Sequence, residues 1–400
     1  MGLLPSRSSA QRMTAVVATL AGELCIKGRQ TRFHMVRELL ANISAAVRLR
    51  SSRVYGGLLV LDVDGDPSAL SRVFGLAHYA VASEVRYDDL GDLVRRAAEL
   101  TANDVRGRRF AVRARRLSED RFTSLDVNRE LGAALLGGSA GVDLESPEVT
   151  VYVDMVERGL AYVHTSLQAG PGGLPVGVAG RTVALVSGGI DSPVATWMIM
   201  RRGVVPVVLN LAIGGREHRE AVMSEVKLLR SWAGSHDIKV YFIDGVPVMK
   251  ALAEVRRPLR VIAIKRVLYR LAEALARIEG AHSITTGESL SQVSSQTMWN
   301  LEAEEHGIEL PILRPLIAMD KEDIVRVARS IGTYGVSAKV PEYCSLAGPS
   351  TTRASVSDVL EAEKSMNLDY AALVRSAEAV RVTLEGPAEA PREGRLGKSR

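Results

Sequence analysis

The hexapeptide Ser187-Gly188-Gly189-Ile190-Asp191-Ser192 constrains the fold of this chain more than any other stretch, because of what flanks it. Thr182-Val183-Ala184-Leu185-Val186, before it, is short and mostly apolar, the pattern of a buried parallel strand. Pro193 to Met200, after it, opens with a proline suited to a first helical turn. Strand, glycine turn and helix N-terminus in succession make an anion site. The glycines let the backbone approach a phosphate, the first helical N–H groups point at it, and Ser187 and Ser192 add hydroxyl donors. The loop is too short for a Walker A motif and lacks its Gly-Lys-Ser/Thr ending.

The pattern around this loop is an alternation of strands and helices. Strands are expected at Thr182–Val186, Val204–Leu211, Ile238–Ile243, His282–Thr286 and Pro311–Leu313. Helices are expected at Glu217–Trp232, Val248–Ile278 and Lys321–Ile331. Such alternation predicts an α/β doubly wound parallel sheet that binds its ligand beyond the C-terminal strand ends. Residues 170–177, rich in Gly and Pro, resist regular structure and read as a linker. Ahead of it the chain reads as small α+β units. Strands are predicted at Ala15–Leu20 and Gly57–Val63, with a helix at Thr31–Leu49 between them. A short helix at Ser68–Phe74 and an extended stretch at His78–Arg86 follow, then a helix at Leu90–Ala102 and a strand at Arg109–Ala114. A helix at Ser124–Leu136 precedes a hairpin of Val149–Val153 and Leu160–Thr165. From Gly386 the composition is that of a disordered tail.

With 46% hydrophobic residues in 400, the chain has ample material for two or three cores. No apolar run is long enough to span a membrane and no secretory leader is evident, so a cytoplasmic protein is expected. Cys25 and Cys344 form no CxxC pair, so neither a disulfide framework nor a metal or cluster site built from cysteines is expected. The net charge of +5 says little, but Arg106, Arg108, Arg109, Arg113, Arg115 and Arg116 fall in eleven residues with no acid between them. That density of guanidinium suits phosphate contact; the alternative is a solvated strand face.

Beyond the strand at His282–Thr286 runs Thr286-Gly287-Glu288-Ser289-Leu290-Ser291-Gln292-Val293-Ser294-Ser295-Gln296-Thr297, polar and on the same strand-end face as the glycine loop. Arg314 ends the next strand and reads either as a phosphate contact or as half of a local ion pair. Asp320 reads as a helix N-cap. Cys344 lies in Pro341-Glu342-Tyr343-Cys344, either an inert small hydrophobe or, near an activated electrophile, a sulfur carrier.

Taken together, the order Glu23-Leu24-x-Ile26-Lys27-Gly28, SGGIDSPVA, TGESLSQVSSQT, RPLIAMDKEDIV, IGTY and PEYC resembles the tRNA 4-thiouridine synthetase (tRNA sulfurtransferase) family, from Thr14 to about Ser355. SGGxDS is shared by PP-loop enzymes that split ATP between its α and β phosphates. TGESLxQVxSQT followed by RPLxxMDK is far more specific. The resemblance implies a ferredoxin-like domain over 12–75, a THUMP RNA-binding domain over 76–169, and a PP-loop ATP pyrophosphatase domain over 178–385. It implies that Mg·ATP adenylates O4 of uridine 8 in tRNA, and that sulfur then displaces AMP. Ser187, Gly188, Gly189, Asp191 and Ser192 correspond to the pyrophosphate cradle, with Asp191 a metal-binding or catalytic carboxylate. Leu185 and Val186 would line the nucleotide, and Asn210 and Leu211 would contact adenosine, although relatives often carry His-Phe there. Lys265, Gly287 and Gln296 complete the implied ATP site, and Ser291 stands where a glycine is usual. Lys27 and the arginines 108, 109, 113, 115 and 116 correspond to the implied tRNA-binding surface, and Cys344 matches the family's sulfur-handling cysteine. After Cys344 there is no further cysteine and no room for the rhodanese domain of many bacterial members. The sulfur donor is therefore sulfide, a partner's persulfide, or a persulfide formed on Cys344. A homodimer and a role in thiamine thiazole synthesis are further implications. Other readings are a different PP-loop ligase or amidotransferase, and a non-catalytic RNA-binding protein.

Overall fold

A computed structural model describes residues 13–339 and 350–389, in two compact units that divide between Leu174 and Pro175.

The first unit is built on two five-stranded sheets. The first sheet runs Gln168–Ala169, Leu76–Val81, Met13–Leu20, Leu58–Asp64, Arg48–Tyr55, all antiparallel. The helix Arg29–Ala46 buries Leu39, Asn42 and Ile43. The second sheet runs Ser83–Arg86, Leu160–His164, Val149–Glu157, Arg109–Arg116, Gly141–Val142. Helices Leu90–Val105 and Ser124–Leu136 press Leu93, Ala97, Leu131 and Leu135 onto Phe110, Val112, Val151 and Val153 of one of its faces. Both helices begin where their sequence says. The Asp89 carboxylate accepts from the Asp92 N–H at 2.8 Å, and Thr123 and Asp126 form a reciprocal capping box.

The second unit carries a seven-stranded sheet, Ile312–Leu313, Ile284–Thr285, Arg181–Leu185, Val205–Ala212, Ile238–Asp244, Glu378–Val382, Pro387–Glu389. The first five strands are parallel and the last two antiparallel. Helices cover both faces. Val207, Leu209 and Leu211 pack in one core with the long helix Arg260–Glu279, whereas Val194 and Ala195 of Asp191–Met200 pack with Ile324 and Ala328 of Lys321–Ile331. From Arg181–Leu185 the next two strands lie to one side and the later two to the other. The glycine loop therefore sits at the point where strand order reverses, the usual ligand crevice of such sheets.

Three expectations need correction. The helix expected over Thr31–Leu49 ends at Ala46, and Arg48–Tyr55 is an edge strand whose polar composition hid it. The helix expected over Val248–Ile278 is broken into Val246–Leu252, a 3₁₀ turn Arg257–Leu259 and Arg260–Glu279, because Pro258 supplies no N–H to a continuous helix. Residues 387–389, expected within a disordered tail, form a strand on Glu378–Val382, itself unanticipated. The Gly/Pro stretch is irregular, the two units divide within it, and its start is tied down: Gly170 and Gly172 N–H groups donate to Ala77 and Leu76 carbonyls, each at 2.8 Å. A Cβ on Gly170 would lie 2.3 Å from the Leu76 carbonyl oxygen, so only glycine fits. Among the described residues, no helix is long and apolar enough to cross a membrane.

Candidate nucleotide and RNA sites

The chain leaves its central strand at Leu185 and enters the helix at Asp191, two residues before Pro193. Gly188 turns the loop at φ +84°, a conformation that disfavours a side chain. Ile190 supplies no side-chain cap to the helix N-terminus. The loop is held from three sides. The Ser187 N–H donates to Ser192 Oγ at 3.2 Å, the Ser187 carbonyl meets His218 Nε2 at 2.7 Å, and Asn210 Nδ2 donates to the Val186 carbonyl at 2.8 Å. Asn210 projects to the loop side of its strand; Leu211 points the other way, into the core shared with the long helix.

Gly287 closes the crevice opposite. A Cβ there would lie 2.8 Å from Ser192 N and 2.9 Å from the Asp191 carbonyl carbon, so the turn presses directly on the helix N-terminus. From the same segment Gln292 Nε2 donates to Asp191 Oδ2 at 2.8 Å, and Lys321 Nζ meets Asp191 Oδ1 at 2.6 Å. Asp191 is thus oriented by an amide and an ammonium. Three buried acceptor atoms, Asn210 Oδ1, Gln292 Oε1 and Gln296 Oε1, have no partner among the described residues. A ligand bearing N–H donors would satisfy them.

Behind Gly287 lies a buried charge cluster. Lys265 Nζ and Arg314 Nε approach Glu288 at 2.8 and 2.9 Å, and the Tyr269 hydroxyl donates to it at 2.7 Å. Burial alone would raise the Glu288 carboxyl, but Lys265 and Arg314 outweigh it and hold it down at about 2. Burial pushes the neighbouring Glu304 well above the usual carboxylate range, even with Lys265 at 3.7 Å. Lys265 is therefore adjacent to the crevice with its ammonium on Glu288. Arg314 resolves to the ion-pair alternative, with Glu305 as a second partner at 2.8 Å. Asp320 caps its helix through the Asp323 N–H at 2.9 Å. Cys344 lies outside the described residues.

In the first unit, strand Arg109–Arg116 turns Arg109, Arg113 and Arg115 away from the helices, and acids distant in sequence meet them. Arg109 lies 3.2 Å from Asp143, Arg115 donates to buried Asp154 at 2.9 Å, and Arg113 donates to the Leu144 carbonyl at 3.0 Å. Arg116 donates to the Asp120 and Phe122 carbonyls. Arg106 and Arg108 are exposed and carry no ion pair among the described residues; Lys27 is exposed between two helices. The arginine run is thus partly a structural network.

Gln292, His218 and Lys321 were not singled out from sequence. Lys321 adjoins the cap that was read correctly, but its contact with Asp191 spans 130 residues and leaves no local signal.

Comparison with known proteins follows the same division. The family model described as thiamine biosynthesis protein (ThiI) matches residues 177–368, and the THUMP domain model matches residues 86–161. A probable tRNA sulfurtransferase of Sulfurisphaera tokodaii is 45% identical over 92% of this chain and all of its own length. One of Saccharolobus solfataricus is 44% identical over 91% of this chain and 99% of its own. A crystal structure of a 4-thiouridine synthetase–RNA complex with bound ATP superposes with a TM-score of 0.81 at 25% identity, covering 92% of this chain and 100% of that one. A Pyrococcus horikoshii protein shares the fold, with a TM-score of 0.62 at 24% identity over 80% of this chain and all of that one. On full-length identity above two-fifths, with a THUMP domain followed by the catalytic domain, this chain belongs to the tRNA sulfurtransferase family.

Proposed function

We propose that this protein is an ATP-dependent tRNA sulfurtransferase that converts uridine 8 of tRNA to 4-thiouridine, forming AMP and pyrophosphate. The observation that carries the reading is the crevice where Gly287 presses on the uncapped helix N-terminus beneath Gly188, with Asp191 held by Gln292 and Lys321. An uncapped helix start with flanking hydroxyls suits a pyrophosphate, and the orphaned acceptors of Asn210 and Gln296 suit the amino group of adenine. Uridine O4 attacks the α-phosphorus and pyrophosphate leaves. Adenylation turns a poor leaving group into a good one, so a sulfur nucleophile then adds at C4 and AMP departs. Lys321, beside Asp191, supplies positive charge where the phosphates gather. Asp191 would help hold a magnesium ion that arrives with ATP, and the ion would neutralise phosphate charge there; among the described residues no group of three His, Cys, Asp or Glu side chains forms a metal site of its own.

Leu185, Val186, Ser187, Gly189, Ser192 and Leu211 belong to this ATP site in our reading. Lys265 acts in it through Glu288. We assign tRNA contact to Lys27, Arg108, Arg109, Arg113, Arg115 and Arg116, with Arg108 the most available. Cys344 is proposed as the sulfur-handling residue: its thiolate would take the terminal sulfur of a partner protein's persulfide, releasing that partner's thiolate, whereas free sulfide would attack the adenylated C4 directly and bypass it. The enzyme is proposed to act in the cytoplasm, as a homodimer. We also propose a ferredoxin-like domain ahead of the THUMP domain and a PP-loop domain after the Gly/Pro stretch.

Incubating the protein with unmodified tRNA, ATP and sulfide, then separating the nucleosides, tests the reading. One 4-thiouridine per tRNA is expected. ATP turnover on a small-molecule acceptor with no thiolated nucleoside would favour another PP-loop ligase.

A further inference from the structure

Leu290, Val293, Met298 and Trp299 are 39, 46, 66 and 51% exposed, an unusual concentration of apolar surface within ten residues. They belong to the segment whose Gln292 holds Asp191, so this ridge borders the adenylation crevice. The segment is short and closed: the Ser291 N–H donates to the Gln296 carbonyl at 2.7 Å, and Trp299 follows three residues later, within about 11 Å of chain. It is also firmly seated. Fully buried Asn300 donates to the Ser294 and Thr351 carbonyls at 3.0 and 2.9 Å and accepts from the Ala354 N–H at 2.9 Å. Thr297 Oγ1 donates to the Thr352 carbonyl at 2.7 Å. These bonds bring exposed Arg353 over the Trp299 ring, 5.0 Å from its centroid.

A bare apolar ridge would suit a protein or an RNA. A guanidinium stacked on an exposed indole adds a cation and a π face on rigid supports, the pair of features an unpaired nucleotide needs. The reaction also demands such a site. A uridine whose O4 must reach a phosphorus has to leave its stack, and its neighbour loses a stacking partner. We propose that Trp299 and Arg353 form a platform on which an unpaired base of the RNA substrate stacks beside the adenylation crevice. The inference rests on the tRNA-thiolation reading and names where that substrate docks on the catalytic domain.

Tryptophan fluorescence and steady-state kinetics of the full chain with an unmodified tRNA transcript test it. Trp197 and Trp232 pack edge to face, 5.4 Å apart, and Trp299 is the third and most exposed of the three indoles. Transcript should quench wild-type fluorescence, and W299F should lose most of that quench while its remaining ring restores part of the kcat/KM for tRNA that W299A loses. W299A should lower kcat/KM for tRNA by about tenfold or more, chiefly through KM, with ATP binding unchanged. R353Q should lose several-fold and decides the matter if W299A does not fold. Wild-type KM for tRNA in both W299A and R353Q overturns the proposal. So does normal tRNA-dependent pyrophosphate release with impaired sulfur transfer from a persulfide protein, which would assign the ridge to a protein partner. Failure of the functional reading looks different: the wild type would then release no pyrophosphate in response to tRNA, and the fluorescence arm alone would decide whether RNA stacks on Trp299.

Discussion

Replacing Gly287 by alanine probes the crevice most sharply, because its effect follows from three distances. The added Cβ would stand 2.8 Å from Ser192 N, 2.9 Å from the Asp191 carbonyl carbon and 3.0 Å from Ser192 Cα. Comfortable contact for carbon begins near about 3.5 Å, so either the turn or the helix start must retreat by roughly half an ångström. None of the three atoms belongs to a side chain that could rotate aside. Overpacking of this kind costs about 1–3 kcal/mol. The functional loss should be larger in proportion, because the displaced groups include Asp191, whose partner Gln292 lies on the same segment as Gly287. A displacement approaching 1 Å at reacting groups lowers rates by up to about a hundredfold, so we expect kcat/KM for ATP to fall between about ten- and a hundredfold. Gly189→Ala is the control: its Cβ would meet nothing closer than Ser187 Oγ at 3.6 Å, so the melting temperature should hardly move. Gly188→Ala should lie between in stability, paying about 1–2 kcal/mol for a side chain at φ +84°. Thermal melts and ATP-dependent pyrophosphate release measure all three. A Gly287→Ala protein with wild-type Tm and kcat/KM would refute the argument that close backbone approach shapes this site.

Glu225 gives a pH signature. Buried, with the Ser337 hydroxyl donating to it at 2.6 Å, its carboxyl is pushed up to about 8 by burial. The folded state then holds the proton more tightly than the unfolded chain. Its stabilisation is full below about 4.5 and is lost as pH rises towards about 8, at up to about 1.4 kcal/mol per pH unit. Urea melts of Glu225→Gln should be flatter than wild type over that window; parallel curves would remove Glu225 as the cause. Lys321→Gln should lower kcat for pyrophosphate release by about a hundredfold with little change in Tm, since the lysine is nearly half exposed, and a wild-type kcat would show that it only neutralises Asp191. Arg115→Gln should destabilise by about 1–3 kcal/mol by leaving buried Asp154 without its guanidinium partner, visible in denaturant melts. Arg108→Gln should leave stability alone and reduce the salt slope of tRNA binding by about one; an unchanged slope would take Arg108 out of the interface.

Much of this architecture was legible because local chemistry marks it. The helices Ser124–Leu136 and Lys321–Ile331 were placed to the residue, since Thr123 and Asp320 announce their N-termini. Val205–Ala212 read clearly as a central strand because both faces are covered and every residue but Asn210 is apolar. Arg48–Tyr55 did not read as a strand, because an edge strand with three arginines and two serines has no buried face to reveal it. Glu378–Val382 was missed for a related reason: its place is set by pairing with Ile238–Asp244, more than a hundred residues away. The site divides in the same way. Ser187 to Ser192 and Gly287 stand in contiguous motifs and were found. The partners of Asp191, and the acids that engage Arg109 and Arg115, come from distant segments and became visible only in three dimensions. The arginine cluster is the instructive case, since sequence shows a run without acids while the fold brings Asp143 and Asp154 to it.

The central claim is that the crevice at Asp191 activates a tRNA base with ATP, and pyrophosphate release with and without unmodified tRNA tests it directly. The account predicts release that requires tRNA and disappears in Asp191→Ala. Release at the same rate without tRNA, or undiminished in Asp191→Ala, would contradict it.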